Sequence, residues 1–280
     1  MYNNDKYGFK NSNKIYEKKI NSILLGDSYA EGLCVFNDED IAGNLNRENI
    51  ATVNFGVTGT GPLISLAILK EFGEHLNPKN TFYLYFEGND LDDLNFEKKE
   101  KNLVKYLKPN FKENYINRYD EIELFLEIEK KESENKIKNI NNLDASQINQ
   151  KSSIENFKSH FKDIIEINNL KNIIRFSILR QQKQTYDLNL FYSIIEKMNY
   201  ETKKWNGNYF FVYVPTWSRY FTKYTSEDAT IKLKEEIIKK LVDKKIKIMD
   251  LTEYFDNSED IKKYFPLGYI GHYNAKGYSK

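Results

Sequence analysis

Five short runs rich in β-branched or aromatic residues, at 22–25, 51–55, 81–87, 209–214 and 246–251, constrain this chain more than any other feature. Each has the length and composition of a strand buried on both faces. Stretches of helical period lie between them. Leu63, Leu66, Ala67 and Leu69 follow the second run. Ile231, Leu233, Ile237, Ile238, Leu241 and Val242 precede the fifth, with Lys and Glu on the opposite face. Such alternation predicts an α/β fold built on a parallel, doubly wound sheet. Reactive and binding groups in these sheets gather beyond the carboxyl ends of the strands. The residues just past each run therefore bear the functional reading.

The first run ends in Gly26-Asp27-Ser28, and the stretch 34–45 then reads as an amphipathic helix. A serine on a sharp strand-to-helix turn lies at the sheet edge, beside the unpaired N–H groups that open the helix. That suits a nucleophile whose attack creates an oxyanion. Asp27 is expected to tie down the turn. The second run leads into Gly56-Val57-Thr58-Gly59-Thr60-Gly61. Its G-x-x-G-x-G spacing differs from the G-x-G-x-x-G of dinucleotide folds, so a nucleotide reading is rejected. The third run ends in Glu87-Gly88-Asn89-Asp90, and Gly271-His272-Tyr273-Asn274 stands near the C-terminus. Asn89 has a plain alternative role as a turn residue that bonds backbone.

In this order the four segments resemble the SGNH (GDSL-like) hydrolase family, named for a serine, a glycine, an asparagine and a histidine in separate blocks. The resemblance implies a flavodoxin-like three-layer α/β/α fold with a central parallel sheet of about five strands, as one domain over 1–280 with a helical insertion. It implies Ser28 as nucleophile and His272 as base, with Ser28, Gly59 and Asn89 forming the oxyanion hole. The activity implied is hydrolysis of ester bonds through an acyl-enzyme on Ser28, without cofactor or metal. The partner would be a small-molecule or carbohydrate ester, with O-acetyl groups on carbohydrate favoured. An O-acyltransferase acting on glycans and a non-catalytic glycan-binding or assembly protein of the same fold are the alternatives. The lead-in 5–11 also looks like that of family members with such a segment before the first block. One position departs from the pattern. Tyr269 stands where the family has the aspartate that orients the histidine, leaving a backbone carbonyl or Asp250, Glu253 or Asp256 to serve. The family would also place a further helix after Tyr278, so the C-terminal helix reads as truncated.

Composition and local pattern carry further expectations. With 42 basic and 41 acidic residues the net charge is +1, which gives no electrostatic case for nucleic acid. The single cysteine, Cys34, excludes an intrachain disulfide and reads as a buried small hydrophobe on the first helix. No run approaches the about 18 apolar residues of a membrane span. The start lacks the apolar stretch of a signal peptide, so the chain as written reads as soluble and unexported. An N-terminus extending further would allow an extracytoplasmic location. Asp90, Asp92 and Asp93 lack the glycine and distal glutamate of a calcium loop and read as a solvated turn. Trp217 is a candidate substrate contact, with plain packing the equal alternative. His75 reads as a helix-end residue and His160 as part of a solvated helix face. The span 94–168 breaks the pattern and reads as an inserted helical arm, with 132–152 mobile. Helices are expected at 157–167, 173–179 and 188–198. Oligomeric state is left open.

Overall fold

The computed structural model describes residues 4–141, 185–221, 229–269 and 271–280. The chain forms two compact units, one from Met1–Glu113 with Tyr186–Lys280 and the other from Asn114–Thr185. The described part of the second unit is dominated by one helix, Tyr119–Asn141, which exposes Leu124, Phe125, Leu126 and Ile128. His160 and the helices expected at 157–167 and 173–179 lie outside the described residues.

The first unit is built on strands β1 (Ser22–Gly26), β2 (Thr52–Asn54), β3 (Asn80–Phe86), β4 (Asn208–Val214) and β5 (Lys247–Asp250). All are parallel, in the order β2-β1-β3-β4-β5. This is the flavodoxin-like doubly wound arrangement expected from the sequence. The three central strands are buried nearly throughout. β5 differs, because it lies at the edge and alternates between exposed and half-buried residues.

Strand side chains alternate between faces, and two apolar layers result. Leu24, Leu84, Phe86, Val212 and Val214 pack with Tyr29, Ala42, Phe255, Phe265 and Tyr273 on one face. On the other, Tyr85 and Phe211 meet Phe191, 5.3 and 6.2 Å away between ring centres. Phe191 belongs to the helix Leu188–Lys203, which overlaps the expected 188–198. A side chain of this size contributes about 1.5–3 kcal/mol when fully buried.

Helix α1 (Ser28–Glu31) is a single turn, and α2 (Ile41–Arg47) follows after a loop. The continuous helix expected from Cys34 is therefore not formed. Gly32 (φ +74°) and Cys34 (φ +77°) take left-handed backbone, and Asp40 caps α2 by accepting from the Gly43 N–H at 2.7 Å. Cys34 is exposed, not buried. Helix α3 (Pro62–Ile68) runs on through Leu69–Gly73 to Glu74–Leu76, and His75 stands exposed in its last turn. Helix α4 (Asp90–Glu97) begins where a solvated turn was expected. Asp90 is buried and accepts from the Tyr83 hydroxyl at 2.6 Å.

Edge strand β2 shows how the lead-in is used. The Asn11 side chain donates to the Asn54 carbonyl and accepts from its N–H, both at 2.8 Å. The Asn46 side chain does the same for Thr52, at 2.9 and 2.8 Å. Two amide side chains thus occupy the ladder positions of an absent neighbouring strand. Lys10 continues the lead-in inward, donating to the carbonyls of Gly32 and Val35 at 2.7 and 2.9 Å beside Asp40.

No helix among the described residues is long and apolar enough to cross a membrane.

Candidate active site

Parallel strands place the segments after β1, β2, β3 and β4 at one edge, and the β1/β3 neighbours flank the point where the chain changes direction. β1 ends on Gly26, at φ +142°, where a Cβ would lie 2.7 Å from the Leu84 carbonyl oxygen. Only glycine fits this close approach. Asp27 follows, fully buried, and accepts from the Tyr29 N–H at 2.8 Å, capping α1. Burial pushes the Asp27 carboxyl up to about 7, against hydrogen bonds from Tyr29, Asn89 and Ser28 that favour its charge. Ser28 opens α1 with 7% exposure. Its Oγ lies 2.6 Å from His272 Nε2 and 3.4 Å from Asp27 Oδ2.

His272 reaches the serine from a loop at the far end of the chain. The Tyr29 hydroxyl donates to the Gly271 carbonyl at 3.0 Å, and the Tyr29 ring lies 4.8 Å from the imidazole. Tyr29 is itself stacked on Phe86 at 3.9 Å. The Tyr273 hydroxyl donates to the Pro215 carbonyl at 2.9 Å. Desolvation lowers the imidazole pKa below its usual value, and the opposing pull of the Glu31 charge is smaller. Tyr269, at the family's aspartate position, is 70% exposed. Asp250 is engaged elsewhere, with Lys234 at 2.7 Å and the Thr252 hydroxyl at 2.7 Å. Glu253 and Asp256 are exposed.

Gly59 sits exposed at φ +74°, with nothing within 4 Å of where a Cβ would be. Its loop is held by the residues around it. The Val57 N–H donates to the Gly26 carbonyl at 3.0 Å, and the Gly61 N–H to Glu97 Oε1 at 2.6 Å. Glu97 also accepts from the Leu63 N–H at 2.9 Å, capping α3. Its carboxyl, raised to about 7, loses its charge more readily because it is buried. The Thr58 N–H and hydroxyl both donate to the Glu31 carboxylate, the former at 2.7 Å.

Asn89 precedes α4 and makes no capping bond of its own. Its amide favours the charged form of the Asp27 carboxyl, and its Oδ1 is buried without a partner among the described residues. Glu87, two residues earlier, is buried and pairs with Arg219 at 2.5 Å while accepting from Tyr213 and the Thr216 N–H. This pair fastens the segment after β4 to the end of β3. Trp217 on that segment packs 4.9 Å from Phe221 and borders the apolar layer around Tyr29.

Ser28 and His272 are therefore in direct contact. Asn89 follows β3, the strand paired with β1, and the Gly59 loop is joined to the serine turn through Glu31 and Gly26. Trp217 makes no hydrogen bond to any of these among the described residues. Sequence reasoning did not single out Tyr29 or Glu31. The available signal was their position, one and three residues after Ser28 on the turn that carries it.

Fold and site together define a doubly wound α/β protein with a serine–histidine contact at the carboxyl edge of its sheet. No family model matches the chain, and no curated protein does. Among solved structures it is similar to a "putative lipolytic protein of G-D-S-L family" from Desulfitobacterium hafniense DCB-2. Identity is 11%, coverage is 92% of this chain and 93% of that chain, and the TM-score is 0.44.

Proposed function

We propose that this protein is a serine esterase of SGNH type. The observation that supports it most is the 2.6 Å contact between Ser28 Oγ and His272 Nε2, from residues 244 positions apart. A serine hydroxyl needs a base within hydrogen-bond reach, and a neutral imidazole serves. Loss of proton affinity through burial keeps His272 neutral and able to accept.

In this reading His272 Nε2 takes the Ser28 proton as Oγ bonds the ester carbonyl carbon. The carbonyl π electrons move to oxygen. The N–H groups of Ser28 and Gly59 and the Asn89 amide receive that charge. Collapse expels the alcohol, which takes the proton from His272. Water then attacks the acyl carbon as His272 accepts its proton, and collapse breaks the Ser28 Oγ–acyl bond, frees the acid and returns the proton from His272 to Ser28 Oγ. The groups around Ser28 (Asp27, Glu31, Thr58, Asn89) are polar, which favours a short acyl group, and O-acetyl on carbohydrate is the preferred substrate class. The exposed Tyr269 requires the imidazole to work without the family's orienting acid.

The test is hydrolysis of a short-chain nitrophenyl ester, together with covalent labelling by a fluorophosphonate. Wild type is expected to do both, and Ser28→Ala to do neither, with a loss of roughly 10⁴-fold or more in turnover. Equal hydrolysis by wild type and Ser28→Ala would overturn the mechanism. A wild type that neither hydrolyses nor labels would favour the non-catalytic reading.

A further inference from the structure

Glu31 links three parts of the site. Its own backbone closes the single turn that Ser28 opens, with its N–H donating to the Asp27 carbonyl at 2.9 Å. Its carboxylate accepts from both the N–H and the hydroxyl of Thr58. Thr58 immediately precedes Gly59, whose surroundings are open where a side chain would be. Packing does little at Gly59 itself, so hydrogen bonds and the buried Thr60 must hold this turn. Val57 and Gly61 are fixed at the two ends of the loop, by the Gly26 carbonyl and by Glu97. The middle is fastened on both sides of Gly59, through Thr58 to Glu31 and through the Thr60 hydroxyl, which donates to the Val57 carbonyl at 2.7 Å. The neighbouring backbone is also tight, since a Cβ on Gly56 would lie 2.1 Å from the Glu31 nitrogen. The loop and α1 therefore meet backbone to backbone, with the Glu31 carboxylate as the clasp.

We infer that Glu31 is a positioning residue for the esterase reaction proposed above, on which this inference rests: it locks the Thr58–Gly59 turn so that the Gly59 N–H faces the oxygen developing beside Ser28. A donor in an oxyanion hole works because it is already in place when charge forms. An unclasped glycine turn samples many conformations and loses that preorganisation.

The experiment compares full-length wild type, Glu31→Gln and Glu31→Ala. Glu31→Ala removes the clasp and the charge, and is expected to lower kcat by about 10–100-fold while KM stays within about threefold. Glu31→Gln keeps an acceptor for Thr58 and is expected to lose less than about tenfold. Amide hydrogen exchange over 57–61 provides a readout independent of activity. Faster exchange confined to that loop in Glu31→Ala supports the inference. Unchanged exchange overturns it, whatever the kinetics, as does an unchanged kcat in an active enzyme. Failure of the wild type to label at Ser28 overturns instead the esterase reading and the catalytic part of this role, while the exchange result still decides whether Glu31 holds the turn.

Discussion

The two sides of the candidate site are built differently. The serine side is part of the sheet. Gly26 ends β1, Asp27 caps the next turn, Ser28 opens it, and each is buried against neighbouring strands. The histidine side is a loop with one exposed and one buried flank. Its approach residues Leu267 and Tyr269 are 93% and 70% exposed, the Tyr29 hydroxyl holds the Gly271 carbonyl, and Tyr273 anchors the other flank in the apolar layer. The serine is placed by a strand end, whereas the approach to the histidine is held by the Tyr29 hydroxyl. Damage to the first should cost stability and activity together. Loss of the Tyr29 clasp should cost activity more than stability.

The largest expected effect comes from breaking the serine side. Gly26→Ala must fit a Cβ 2.7 Å from the Leu84 oxygen at φ +142°. A loss of about 2–4 kcal/mol is expected, which in a domain of this size lowers Tm by roughly 5–12 °C. Esterase activity should fall with it. Thermal unfolding with Tm unchanged within 1–2 °C would remove the distinction between the two sides.

A smaller effect is expected on the histidine side. Tyr29→Phe deletes the bond to the Gly271 carbonyl and keeps the ring that packs on His272. One hydrogen bond of this kind contributes about 0.5–1.5 kcal/mol. Turnover should drop by about 2–10-fold, with Tm shifted by only a few degrees. A variant that loses as much stability as Gly26→Ala would show that this loop too is part of the core.

A pH dependence singles out the serine side. Burial raises the folded-state pKa of Asp27 to about 7 and of Glu97 to about 7, above the values of 3.8 and 4.5 expected without burial. Between those limits the folded chain holds protons that the unfolded chain has released. Their contribution is therefore complete below about pH 4 and is lost as pH rises towards 7. Tm should decline across this window in wild type and decline less in Asp27→Asn. His272 has its proton affinity lowered and contributes in the opposite sense, favouring the fold as pH rises through the imidazole range. Identical Tm–pH curves for wild type and Asp27→Asn would contradict the role given to Asp27.

Much of this was legible in the sequence because the strands are short apolar runs. All five observed strands lie within one or two residues of the expected ones, and their parallel direction follows from alternation with helices. The Ser28, Gly59 and Asn89 segments could be placed at one edge for the same reason. Cys34 shows what was not legible. The helical period of 34–45 is real, but Gly32 and Cys34 turn left-handed and Asp40 starts a new helix, which leaves the thiol exposed. Asp90 was read as solvated because acidic clusters usually are, whereas the Tyr83 hydroxyl inside the sheet layer accommodates it. The clasps by Tyr29 and Glu31 were hidden because they join residues 242 and 27 positions apart. Local pattern has no access to such pairings.

The Asn11 and Asn46 amides on β2 have a consequence beyond the site. A free strand flank is a template on which another chain can add by backbone pairing. Here the outward N–H and C=O of both Thr52 and Asn54 are already occupied, by side chains of the same molecule. Self-association by sheet extension on that flank would first require residue 11 and its segment to peel away, so recombination between copies there is coupled to local unfolding of the lead-in.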